Sequence, residues 1–205
     1  MSVMLAFAMA ASLQATTLPP VDECEADGSF RQFRRDLVRA LERKDVAHVT
    51  AALSPDVMID FGGGHGRAAF VRAWALEEPQ TSRLWRELRL VLSLGCTLDR
   101  DTASSPSLLD QLPPERDAFM TLLAVRPGAA VRARPTDASP VLATLNWDLL
   151  TLADKGGEEG WFPVVLGDGR AGYVRQQDVR SPLDYRVVFQ KRGGGWAITA
   201  LVAGD

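Results

Sequence analysis

Few residues in this chain are of types that do chemistry. There are two histidines, His48 and His65, and two cysteines, Cys24 and Cys96. A histidine beside a carboxylate can serve as a general base in a pocket, and Asp60 with His65 is the pair that invites this reading. One strand and its turn are a thin basis for a dyad, so no catalytic residue is assigned. The run Gly62-Gly63-Gly64-His65-Gly66 follows a strand pattern and precedes a helical one, a context in which a helix N-terminus can hold an anion. It lacks the Lys-Ser/Thr of a P-loop and the spacing of GxGxxG, and it reads as a strand-to-helix turn. No Cys/His cluster has metal-ligand spacing, and there is no GxSxG elbow. No metal or other cofactor is expected. In an oxidising compartment Cys24 and Cys96 can form one disulfide, tethering the N-terminal arm to a later helix. The alternative is two unpaired small hydrophobes, and the spacing is not the CxxC of a redox site.

The elements that would position these residues follow from the apolar pattern. Of 205 residues, 46% are hydrophobic and 24% charged, which suits a packed core and argues against wholesale disorder. The net charge of −3 gives no general reason to expect nucleic acid as a partner. Residues 3–13 (VMLAFAMAASL) form an uncharged apolar run, the length of a signal-peptide core and too short for a membrane span. Leu13-Gln14-Ala15 is a serviceable cleavage site, although no Lys or Arg precedes the run. We therefore expect a signal peptide over 1–15, a mature chain without a transmembrane segment, and a periplasmic or secreted location.

Phe30, Phe33, Leu37, Val38 and Leu41 lie at helical spacing, with Asp27 or Ser29 able to cap the start. Arg31, Arg34, Arg35, Arg39, Arg43 and Lys44 cover the rest of that surface, either as a solvated face or as a surface for an anionic partner. A short helix over 46–53, a strand over 56–61, and helices over 67–76 and 82–94 follow. Residues 97–115 read as a loop or hairpin, 117–125 as a strand, and 185–190 with 196–202 as a closing hairpin.

Between them the pattern changes to short strands separated by turns. Val131-Arg132-Ala133-Arg134-Pro135, Pro140 to Leu145, Leu149 to Leu152, Gly160-Trp161-Phe162-Pro163-Val164 and Asp168-Gly169-Arg170-Ala171-Gly172-Tyr173-Val174 follow in order, and Val179 closes the series. In this order the segment 128–182, about a quarter of the chain, resembles the bacterial SH3 (SH3b-type) domain family. Two positions depart from the family pattern. Pro163 removes a ladder donor, which suggests an edge or a bulge, and Trp147 stands where turn-forming Gly or Lys is common. The resemblance implies a small closed β-barrel that binds ligand through aromatic residues near its loops. The candidates are Trp147, Trp161 and Tyr173, with Asp148 as a polar neighbour; Trp161 and Tyr173 can equally be barrel packing. It further implies a binding protein of the cell envelope, with peptidoglycan or an envelope protein or peptide as partner. Residues 25–126, with the hairpin of 183–205, more loosely resemble NTF2-like folds. That resemblance keeps open an enzyme or ligand-pocket protein carrying the SH3 segment as an accessory. The expected class is α+β: a helix-rich N-terminal domain, an SH3-like barrel, and a C-terminal hairpin that either completes the first domain around an inserted barrel or extends the barrel.

Overall fold

The Asp27 carboxylate starts the first helix by accepting hydrogen bonds from the backbone N–H groups of Ser29 and Phe30, both at 2.8 Å. Such local chemistry is the origin of most elements in the computed structural model, which describes residues 17–154 and 157–204. The apolar run and cleavage site read as a signal peptide lie outside those residues. In chain order the elements are α1 (Gly28–Arg43), α2 (Val46–Ala51), β1 (Leu53–Met58), α3 (Arg67–Ala73), α4 (Leu84–Ser93), β2 (Thr97–Asp99), β3 (Thr102–Ser105), α5 (Leu108–Gln111), β4 (Thr121–Ala124), β5 (Ala129–Arg132), β6 (Val141–Leu145), β7 (Leu149–Leu152), β8 (Trp161–Val165), β9 (Ala171–Arg175), β10 (Val179–Arg180), β11 (Arg186–Arg192) and β12 (Gly195–Val202). The class is α+β, with two sheets. No helix among the described residues is long and apolar enough to cross a membrane.

The chain divides into two compact units, residues 18–119 with 181–205, and residues 120–180 with Thr17. In the first, a five-stranded sheet of order β1-β12-β11-β3-β2 carries the helices. Its core is aromatic: Phe30 of α1 meets Phe189 of β11 at 5.1 Å and Trp196 of β12 at 4.9 Å between ring centroids, both edge-on. Phe33 packs on Phe189 in the same way. β11 and β12 form a hairpin turned by Gly193 and Gly194, both at positive φ, the conformation that twists tight hairpins correctly. The hairpin pairs with β3 antiparallel and with β1 parallel, and does not extend the second sheet. The strand expected over 56–61 lies three residues earlier, at β1. Pro55 is accommodated there because β1 is an edge of the sheet.

The second unit is a seven-stranded sheet of order β10-β4-β7-β8-β9-β5-β6. Three expectations need correcting. The barrel is not closed: pairing runs from β10 at one edge to β6 at the other. Many of its buried residues nevertheless form one cluster drawn from these strands and their flanks, among them Ala124, Val131, Leu145, Val164, Val174 and Val179, so the sheet encloses its own core. Second, the unit begins before Gly128, since β4 pairs with β7 and β10. The strand expected over 117–125 is thus β4, buried at all four positions and part of this sheet rather than of the domain expected over 25–126. Third, Pro163 is not on an edge, for β8 lies between β7 and β9. Its carbonyl accepts from the N–H of Ala153, one residue past the end of β7. The missing proline N–H therefore faces a place where the ladder has already stopped.

Candidate functional site

The hairpin β8–β9 folds about Asp168 and Gly169, and its register decides which side chains share a face. Trp161 lies opposite Arg175 and Pro163 opposite Tyr173, while Tyr173 also pairs with Arg132 of β5. Because side chains alternate along a strand, these five point away from the core that Val164, Val174 and Val131 fill. Gly172 permits the close strand contact: a Cβ there would lie 2.5 Å from Val131 Cγ1 and 2.8 Å from the Arg132 carbonyl oxygen.

The connection between β5 and β6 is tied down beside this face. The N–H of Ala133 donates to the Pro140 carbonyl at 3.0 Å, the Arg134 N–H to Ser139 Oγ at 2.9 Å, and Arg132 Nη1 to the Ser139 carbonyl at 2.8 Å. Asp137 of the same turn accepts from Arg175 Nε at 2.9 Å and forms an ion pair with the second guanidinium nitrogen. Hydrogen bonding from Arg175 holds the Asp137 carboxyl below the usual aspartate range, and the Arg175 guanidinium is correspondingly raised. The Arg175 guanidinium also lies over the Trp161 ring, 4.6 Å from its centroid. Trp161 is thus 5% exposed although it lies outside the core cluster, while Tyr173 beside it is half-buried.

Trp147 and Asp148 are elsewhere, on the turn between β6 and β7. Trp147 is half-buried and adopts φ 61, a left-handed conformation that costs a bulky residue on the order of 1–2 kcal/mol. Asp148 accepts from the Asn146 N–H at 2.5 Å. Its side of the turn lines a cavity of about 230 Å³ that also contains Asp168 and Arg170. Arg170 Nε donates to Asp168 at 2.7 Å and Arg170 Nη1 to the Leu142 carbonyl at 3.0 Å. That side-chain bond, with the Arg170 backbone N–H, keeps the Asp168 carboxyl below its ordinary range.

The four candidates therefore occupy two places: Trp161 and Tyr173 share the outer face of β8–β9, while Trp147 and Asp148 belong to the β6–β7 turn. The residues that complete the outer face, Arg132, Arg175 and Asp137, were not singled out from the sequence. Folding the hairpin about Asp168 on paper would have placed Arg175 opposite Trp161. The face offers guanidinium donors, a carboxylate, a phenol and aromatic surface. Among the described residues it holds no nucleophile with an adjacent base.

Asp60 and His65 form no dyad. Asp60 is exposed and accepts from the Gly64 N–H at 2.9 Å, while His65 Nδ1 lies 2.8 Å from the Gly63 carbonyl oxygen. Each is used by its own turn. Cys24 and Cys96 are joined by a disulfide, with Cα atoms 5.7 Å apart. Both sulfurs are thereby unavailable to a metal, although Asp22 lies beside them.

No family model matches this chain, so the SH3 resemblance gains no support from that direction, and no curated protein matches it. Among solved structures it is similar to an NTF2-like protein with a cystatin-like fold from Novosphingobium aromaticivorans, at 11% identity over 88% of this chain and 82% of that one, with a TM-score of 0.31. It is also similar to a structure from Xanthomonas campestris assigned as a calcium/calmodulin-dependent protein kinase II association domain, at 14% identity over 92% of this chain and 96% of that one, with a TM-score of 0.32. At these TM-scores the likenesses carry no argument about function.

Proposed function

We propose that the chain is an exported binding protein of the bacterial cell envelope. Its β unit acts as an SH3-like module that engages peptidoglycan or a peptide segment of an envelope protein. The observation that carries this reading is the outer face of β8–β9: aromatic residues that the core does not use, set among Arg132, Arg175 and Asp137. An aromatic side chain with two rotatable torsions contributes contact area at little entropic cost, and flanking guanidinium groups suit carboxylates and peptide carbonyls. Export is supported by the apolar run of residues 3–13 and by the disulfide, a bond that persists in oxidising compartments. Trp147 enters as a second contact because it holds a left-handed backbone where glycine would be easier. Such an outlier motivates a functional reading.

The test is co-sedimentation of the mature chain with purified peptidoglycan sacculi, beside Tyr173→Ala and Trp147→Gly. Wild type pellets, and Tyr173→Ala weakens binding by about tenfold or more, the loss expected of a hot-spot aromatic. Trp147→Gly relieves backbone strain, so it loses binding while its Tm holds or rises. If both variants pellet as wild type does, the assignment of these residues is wrong; if wild type stays in the supernatant, peptidoglycan is excluded, and failure to retain any envelope protein in a pull-down from envelope extract overturns the reading.

A further inference from the structure

Helices α1 and α4 leave an open cleft between their outer faces, about 700 Å³ in its main lobe and about 360 Å³ in a second lobe that shares Val38, Glu42 and Leu92. It belongs to the first unit and owes nothing to the reading of the β unit. The floor is apolar: Trp85 and Leu92 are buried, Val38 and Leu90 half-buried. The rim is cationic. Arg35 and Arg39 stand one turn apart on α1, Arg86 and Arg89 one turn apart on α4, and all four are exposed. Arg34, deeper in the cleft, is already met by Asp22 and Glu25. Without it, five lining cations, Lys44 included, face one carboxylate, Glu42. Among the described residues the side chains of Arg86 and Arg89 have no ion pair or hydrogen bond, and that of Arg39 has only a 3.5 Å pair with Asp36. Such a concentration of unmatched positive charge, on a chain of net charge −3, is a local design.

From the apolar floor and the cationic rim together, we infer that this cleft binds an acidic amphipathic helix of a partner protein. The partner's apolar stripe would lie on Val38 and Leu90, with the buried Leu92 behind them, and its Asp and Glu residues would meet the four arginines. Other occupants fit less well. A symmetric second copy would set arginines against arginines. A flat bilayer would not reach apolar groups recessed behind a rim of charge. Single-stranded nucleic acid needs exposed rings for stacking, and the one ring in the cleft, Trp85, is buried. The ten residues of α4 span about 15 Å, room for roughly three turns of a docked helix in the helix-in-groove mode.

The experiment is a fluorescence-anisotropy titration of the whole chain against a labelled 15-residue helical peptide with leucines at i, i+3, i+7 and i+10 and glutamates flanking them. Saturable binding is expected that weakens as salt rises, because the contacts are ionic. Arg86→Glu/Arg89→Glu on α4 and, separately, Arg35→Glu on α1 should each weaken it at least tenfold. These side chains are exposed, so circular dichroism and Tm should match wild type. Val38→Asn, which leaves the charge unchanged, should also weaken it, which simple charge attraction does not explain. Three results each overturn the proposal: no binding, equal binding of a peptide of the same composition with its leucines scattered around the helix, or tighter binding to phosphatidylglycerol vesicles or to duplex DNA.

Discussion

At the scale of single residues, two positions show how far side-chain identity reaches. Gly172 reads from the sequence as a place where a strand bends tightly, and the structure adds the reason: its missing Cβ is the space that Val131 and the Arg132 carbonyl occupy. Gly172→Ala should therefore cost about 1–3 kcal/mol through overpacking, seen as a lower urea midpoint with an unchanged slope. The same substitution at Gly169, where a Cβ would meet nothing within 4 Å, tests φ alone and should cost less. Trp161 shows the opposite limit. Its type marks it as important, but whether it packs or binds depends on Arg175 and Asp137, which are 14 residues ahead and 24 behind it and reach it through strand pairing and a turn. Residue types were legible; the lid over the ring was not, because it is a property of register.

Among the elements, those defined by local chemistry were readable and those defined by partners were not. The first helix was legible from its stripe and its cap. The Asp27 carboxyl, lowered to about 2 first by the Ser29 hydroxyl and then by the Phe30 N–H, states how that cap works. The ionised form is the one the helix stabilises. Its contribution is full above the ordinary value of 3.8 and is lost as pH falls through about 2. The urea midpoint of Asp27→Asn should accordingly lie below wild type at pH 7, and the gap should close on acidification. A gap that stays constant with pH would remove the charge from the explanation. β1 was shifted by three residues, and β4, expected as a strand over 117–125, was assigned to the wrong unit, because which sheet a strand joins is set by neighbours distant in sequence. The open order of the second sheet could not be read from spacing, since a closed barrel and a coiled open sheet share the same alternation.

For the whole molecule, the disulfide is the main long-range tether that the sequence made visible. It closes a separation of 72 residues, and on chain-entropy grounds a loop of that size contributes about 4 kcal/mol. Cys24→Ser/Cys96→Ser, or reduction of wild type, should lower stability by about that amount in urea denaturation. The two interpretations of the C-terminal hairpin were not separable from the sequence, because the same alternating strand can complete either sheet. The structure resolves the matter through pairing: β11 and β12 lie between β1 and β3, and β4 and β10, the first and last strands of the β unit, pair antiparallel. The chain therefore enters and leaves that unit at neighbouring points, the geometry in which one domain tolerates another within it.

The central position of β11 and β12 in their sheet also sets a timetable for the growing polypeptide. As the chain emerges from a ribosome, α1 through β3 appear first but lack the two strands on which Phe30 and Phe33 pack. The β unit, contiguous over 120–180, has all its strands before the older segment has its core. The earliest part of the chain to be made is thus the last to be finished, and it carries uncovered aromatic surface throughout the wait. A nascent chain stopped near residue 180 is where a chaperone would find the most to hold.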